Sequence, residues 1–144
     1  MRYRQLKLGP MDNFSYVAWD EDTKDAAVID PAWQPEKIDA LLGQEGLKLH
    51  CALLTHAHPD HVNALGFFTA RDKDLPVYLN EGDYFMLEAR PAGLRTVADG
   101  EQVQAGALKF SAVHTPGHTP GSVCYAAGKA LFTGDTLFIG ECGR

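Results

Sequence analysis

The sequence predicts a mixed α/β (α+β) domain in which stacked sheets are flanked by helices. Three observations carry that reading. Strand-like segments open the chain, helix-like segments intervene, and strands return, an order that suits sheets layered with helices. The composition, 45% apolar and 22% charged, is ordinary for a globular domain. At 144 residues the chain can bury one real core and is short for two, so residues 1–144 are read as a single domain.

The elements follow in order. Arg2 to Leu8, Phe14 to Trp19 and Ala26 to Ile29 read as short strands, split by Gly9-Pro10 and by the charged turn Asp20 to Asp25. Pro35 opens a helix with Ile38, Leu41 and Leu42 on one face, Gly46 ends it, and His50 to Leu54 is the next strand. Val62, Leu65, Phe67 and Phe68 predict one amphipathic helix from Asp60 to about Arg71. Pro76 to Leu79 is strand-like and Glu81 to Ala89 helix-like. From Val103 onward strands dominate, at Leu108 to Val113, Ser122 to Tyr125 and Ala130 to Thr133. The pairs Phe67-Phe68, Tyr84-Phe85 and Leu137-Phe138 are expected in the core or in a pocket wall. The last residues, Glu141-Cys142-Gly143-Arg144, stop where a loop should begin, so the C-terminal part of the fold is expected to lie outside this chain.

Charge and patterning exclude some partners. No apolar run reaches the ~18 residues of a membrane span. Met1-Arg2-Tyr3-Arg4-Gln5 leads into a strand pattern without a signal-peptide core, so a cytoplasmic location is expected. A net charge of −6 argues against nucleic-acid and acidic-membrane partners, which favour a basic face. The three cysteines, Cys51, Cys124 and Cys142, are too scattered for a disulfide framework. Cys51 and Cys124 are read as reduced core residues in strands.

Function concentrates in Thr55-His-Ala-His-Pro-Asp-His61. Imidazole and carboxylate are ligands for zinc, iron and manganese. In extended chain, His56 and His58 point to the same side and can converge on one ion. Pro59 suits the first position of a helix, which places Asp60 and His61 in its first turn, facing the same cavity from a displaced position. That arrangement suits two ions side by side. Two further segments join it. The turn-rich loop Thr115-Pro-Gly-His118-Thr-Pro-Gly-Ser122 would fix His118 on a tight connection. Asp135, in Thr133-Gly-Asp-Thr136, follows a strand end, as His56 and His118 do. If those strands share an edge, their ligands meet. His50 and His114 lie in or beside strands and receive no role.

These residues resemble the metallo-β-lactamase-fold superfamily. The resemblance rests on His-x-His-x-Asp-His at 56 to 61, Thr-Pro-Gly-His at 115 to 118 and Gly-Asp-Thr-Leu-Phe at 134 to 138. With Cys142-Gly143-Arg144, the chain looks most like the glyoxalase II (hydroxyacylglutathione hydrolase) branch and its single-domain bacterial relatives. The resemblance implies a four-layer αβ/βα sandwich with metals at one edge of the two sheets. It implies two divalent ions, zinc foremost, with iron or manganese as alternatives. His56, His58 and His118 would hold the first ion, Asp60 and His61 the second, and Asp135 would bridge them. The family's further histidine on the second ion falls beyond this chain.

The expected activity is a metallo-hydrolase acting on a small acyl substrate, a thioester of the hydroxyacylglutathione type. Divalent ions lower the pKa of coordinated water from ~15.7 to roughly 7, and Asp60 would orient that nucleophile as the catalytic carboxylate. A thiolate, whose conjugate acid has a pKa near ~8.5, leaves without a strong general acid. The alternative on the same scaffold is a mononuclear iron persulfide dioxygenase, using the equivalents of His56, His118 and Asp135. Nuclease activity, also found in this superfamily, conflicts with the acidic balance.

Overall fold

Alternation within single strands sets the layering. In β3 (Asp25–Ile29), Ala26 and Val28 join one apolar cluster while Ala27 and Ile29 join another, all without solvent exposure. A strand apolar on both sides belongs inside a sheet covered on both faces. The computed structural model, which describes residues 1–144, places it there. The six-stranded sheet runs β1 (Arg2–Leu8), β2 (Asn13–Trp19), β3, β4 (Lys48–Leu53), β5 (Val77–Leu79), β6 (Leu94–Thr96). β1 to β3 are antiparallel, and β3 to β6 are parallel.

The parallel step from β3 to β4 requires a crossover, supplied by α1 (Pro35–Gln44). Pro35 occupies its first turn, where the missing N–H costs nothing, and Ile38, Leu41 and Leu42 face the sheet. Gly46, at φ +64°, lets the chain reverse into β4. With α3 (Leu65–Arg71), α1 covers one face through Leu65 and Phe68.

The other face packs on a four-stranded antiparallel sheet ordered β10 (Ala130–Phe132), β9 (Val123–Ala127), β8 (Leu108–His114), β7 (Gln102–Ala105). Ile29, Leu53, Phe110, Val123, Tyr125 and Phe132 fill the space between the sheets. Burial of each large apolar side chain there is worth about 1.5–3 kcal/mol. The Tyr125 hydroxyl crosses the gap to donate to the carbonyl of Leu54 at 3.1 Å, so this fully buried polar tip is paired. A short ribbon, β11 (Leu137–Phe138) with β12 (Glu141–Cys142), follows. The layers are thus helices, sheet, sheet.

Several sequence expectations need correction. The helix expected from Asp60 to Arg71 is two pieces, α2 (Pro59–Val62) and α3. At the break the Ala64 N–H donates to the carbonyl of Pro31 at 3.2 Å, and the Asn63 side chain accepts from the Trp33 N–H at 2.6 Å. Tertiary partners have taken groups that helix continuity would use. Glu81 to Ala89 is a 3₁₀ segment only as far as Met86, opened by Asn80, whose side chain accepts from the Gly82 N–H. β6 was not expected. Of the aromatic pairs, Phe68 is core, whereas Phe85 faces solvent and Leu137 and Phe138 are half-exposed. Cys51 and Cys124 are buried, Cys142 is exposed, and all three are free. No helix is long and apolar enough to cross a membrane.

Candidate metal centre

All six ligand candidates stand at strand ends or just beyond them. His56 follows β4, and His58 caps α2 in an extended conformation (ψ 140°), with Asp60 and His61 in the first turn. His118 sits on the loop after β8, and Asp135 on the turn after β10. The strands do not share one sheet edge, the condition under which the sequence had their ligands meet: β4 belongs to the first sheet, β8 and β10 to the second. Face-to-face packing of the sheets brings the ends together instead.

The donors fall into two groups. One ring nitrogen each from His56, His58 and His118 lies within 4.8 Å of the others. His58 Nδ1 faces His118 Nε2 at 2.9 Å. His56 Nε2 is buried and has no hydrogen-bond partner, although its Nδ1 meets the Thr55 hydroxyl at 3.0 Å. An orphaned nitrogen aimed at two other imidazoles is costly unless something binds there. That donor set fits a divalent ion of the zinc or iron type. In the second group, His61 Nε2 lies 3.2 Å from Asp135 Oδ1 and 3.9 Å from Asp60 Oδ2. Asp135 Oδ2 lies 3.4 Å from His118 Nε2, so its carboxylate presents one oxygen to each group.

The electrostatics of the groups differ. Burial pushes the His56 pKa down to about 4, with neighbouring imidazoles adding to the effect, so this ring is a neutral donor. Burial opposes the charging of His61 too, but the hydrogen bonds that its ring donates to Asp135 and Asp30, and their negative charges, outweigh it and raise its pKa to about 10. Burial likewise opposes ionisation of Asp135, yet the imidazoles of His61, His56 and His118 hold its pKa below the ordinary carboxylate value. An ion entering the second group must therefore displace a proton from His61.

Three residues that the sequence reading passed over hold these donors. Asp30, at the end of β3 with φ 48°, accepts from the Thr55 N–H at 2.7 Å, from its hydroxyl at 2.5 Å and from His61 Nδ1 at 3.0 Å. Its proximity to His56 and His61 could suggest a third ligand group. Both oxygens are occupied by these contacts, so Asp30 orients His61 and leaves Nε2 for the cavity. Asn13 donates from Nδ2 to Asp60 Oδ2 at 2.8 Å, with its Oδ1 receiving the Trp33 indole N–H at 3.3 Å. Asp83, fully buried, bonds the loops that carry His58 and His118. A non-glycine at positive φ could be found only by knowing the fold, and nothing local marks Asn13 or Asp83. Gly134 is required where it stands: at φ +49°, an added Cβ would overlap the Thr55 hydroxyl.

A cleft of about 580 Å3 opens from Asp60, His61 and Asp135. Met11, Phe14, Phe138 and Ile139 give it apolar walls, and no lysine or arginine lines it. The Tyr16 hydroxyl in its wall accepts from Gln5, and burial raises its pKa.

Comparison with known proteins follows the same geometry. The family description of the metallo-beta-lactamase superfamily matches residues 8–144. The chain belongs to that superfamily. It is 35% identical over 131 residues to a probable polyketide biosynthesis zinc-dependent hydrolase, BaeB, of Bacillus velezensis, covering 91% of this chain and 58% of that protein. It is 38% identical over 135 residues to a hydroxyacylglutathione hydrolase of Thermosynechococcus vestitus, covering 92% and 52%. Among solved structures, the BLEG-1 B3 metallo-beta-lactamase superposes with a TM-score of 0.88 at 34% identity, covering 99% of this chain and 76% of that one. The chain thus spans a little over half the length of the curated relatives it matches. As a member of this superfamily it has the expected α/β fold, seen in three layers, and a donor set for divalent metal.

Proposed function

We propose that this chain is the metal-binding part of a hydrolase that cleaves thioesters of small acyl groups, of the hydroxyacylglutathione kind. The observation that carries the reading is the placement of Asp135, whose two oxygens face the two donor groups separately. His56, His58 and His118 would hold one divalent ion and Asp60 and His61 a second, with Asp135 between them. Bound there, the ions would supply water acidified toward neutrality and positive charge for a developing oxyanion.

The protein's own groups do the rest. Asp60, fixed by the Asn13 amide, orients the attacking water at the cleft floor. Asp30 keeps His61 in the tautomer that offers Nε2. The apolar walls take the acyl portion and exclude water from it. A leaving amine would have to draw a proton from a group lining the cleft. A thiolate, with a conjugate-acid pKa near ~8.5, needs none. The hydrolase names of the two curated relatives support the reaction class, and zinc is the favoured metal. A small-molecule substrate rather than a nucleic acid or membrane completes the reading.

The test is elemental analysis of the protein purified without added metal, paired with a thioester hydrolysis assay. About two zinc-type ions per chain with turnover is the expected result. A single iron, with oxygen consumed on glutathione persulfide, would replace this reading with the dioxygenase.

A further inference from the structure

We propose that Asp83 is a positioning residue that sets the spacing between the His56/His58 loop and the His118 loop, and thereby the affinity of the first metal position. This rests on the reading that His56, His58 and His118 hold an ion. Asp83 comes from neither loop; it lies in the 3₁₀ segment Glu81–Met86 that follows β5. Its Oδ2 accepts the N–H of Ala57, the residue between His56 and His58, at 3.1 Å. The same oxygen accepts the hydroxyl of Thr119, the neighbour of His118, at 2.7 Å. Its Oδ1 accepts the Gly121 N–H at 2.7 Å. A single carboxylate oxygen thus ties a loop leaving the first sheet to a loop leaving the second.

A second feature, independent of those bonds, points the same way. An added Cβ at Gly121 would come within 2.7 Å of the Asp83 backbone and carboxylate, and one at Gly82 within 3.0 Å of Pro120 and Gly121. The 3₁₀ segment and the His118 loop therefore meet backbone to backbone, with no side chain as spacer. Thr119 is held from behind as well. Its own N–H donates to Ser122 Oγ at 3.1 Å, and the Ser122 hydroxyl lies 2.8 Å from Thr119 Oγ1. Because Thr119 gives its proton to Asp83, Ser122 donates to Thr119, and the chain of bonds has one direction. Asp83 has no cationic partner within ion-pairing distance, and all the hydrogen bonds of its carboxylate are with these loops. Asp60, His61 and Asp135 are reached by none of them, so the effect should fall on the first position alone.

The experiment uses the full chain and four proteins: wild type, Asp83→Asn, Thr119→Val and Thr119→Ser. Zinc affinity is measured by competition with a chelator, cobalt(II) binding by its visible spectrum, and melting on metal-free protein. Asn keeps the volume but turns one acceptor into a donor facing an N–H. Val keeps the shape of Thr119 and removes only the hydroxyl, while Ser restores it. Asp83→Asn and Thr119→Val should weaken one of two zinc ions about 10- to 100-fold, the range for partners that orient metal ligands. They should also alter the cobalt spectrum of that ion, with Thr119→Ser returning both to wild type. Wild-type affinity in both variants, or equal weakening of both ions, overturns the proposal, even if melting falls. Should Asp83→Asn fail to fold, the Thr119 pair decides alone. A wild-type protein that binds no metal refutes the underlying reading as well, which separates the two failures.

Discussion

The two donor groups solve one problem in opposite ways. His56, His58 and His118 come from loops of two different sheets, and His56 is 1% exposed, neutral and without a partner at Nε2. The cost of drying that nitrogen is met by folding, before any ion arrives. His61, Asp60 and Asp135 instead satisfy one another: the imidazole lies between carboxylates, and the Asn13 amide holds Asp60. The first group is preorganised by loops that bring three imidazoles together, the second by mutual charge pairing. An ion entering the histidine group displaces one contact, between His58 Nδ1 and His118 Nε2, and finds His56 Nε2 unpartnered, so zinc added in limiting amounts should fill that group first.

The sharpest break in the comparison is made at Asp135. Asp135→Ala removes an oxygen from both groups and is expected to abolish turnover and lower the content of both ions, whereas His56→Ala should empty the first position alone. Metal content per chain, measured beside activity, separates these outcomes; equal loss in both variants would erase the distinction. Next in size is Phe110→Ala. This side chain lies between the sheets on β8, the strand that leads to the His118 loop. Its removal should cost about 3–5 kcal/mol of stability in chemical denaturation, while folded protein still takes up its ions. Asp30→Asn acts on the second group directly, at His61 Nδ1, and on the first only through the Thr55 hydroxyl that meets His56 Nδ1. With the carboxylate facing His61 Nδ1 lost, the affinity of the second ion should fall about 10- to 100-fold, read by titration against a chelator, and that of the first ion by less.

The smallest effect is a control away from both groups. The backbone N–H of Ala107, the Thr23 hydroxyl and His50 together pull the Asp25 pKa down to about 2 from 3.8. A carboxylate lowered on folding contributes stability above its ordinary value, and that contribution is lost as pH falls toward 2. Melting curves on metal-free protein should therefore show an acid-side decline that Asp25→Asn flattens, with donor geometry unaffected.

How much of this was readable from the chain depends on the range of the interaction. Short apolar runs bounded by Gly, Pro and charged turns marked β1 to β4 and β8 to β10 closely. The six positions singled out by residue type and spacing do meet, since the short segment 56 to 61 and two Gly-bearing turns restrict where they can go. Asp30, Asn13 and Asp83 were not readable. Their partners lie 20 to 48 positions away, and nothing in the neighbouring residues announces contacts made so far along the chain. The broken helix at Asn63 has the same origin: Pro31 and Trp33, brought in by β3, compete for its groups. Leu94–Thr96 was missed because three residues on a parallel edge carry too little pattern to detect.

The outermost strand has its own consequence. β1 buries only Leu8 fully, with Leu6 partly covered, and pairs on a single side, with β2. Opening it forfeits little core, which places it at the low end of local opening free energies. The hairpin tip that leads into Asn13, and with it the clasp on Asp60, is therefore attached to an easily frayed margin of the molecule. Amide deuteration should run faster along β1 than along β3 or β4, and the cleft should breathe from that side.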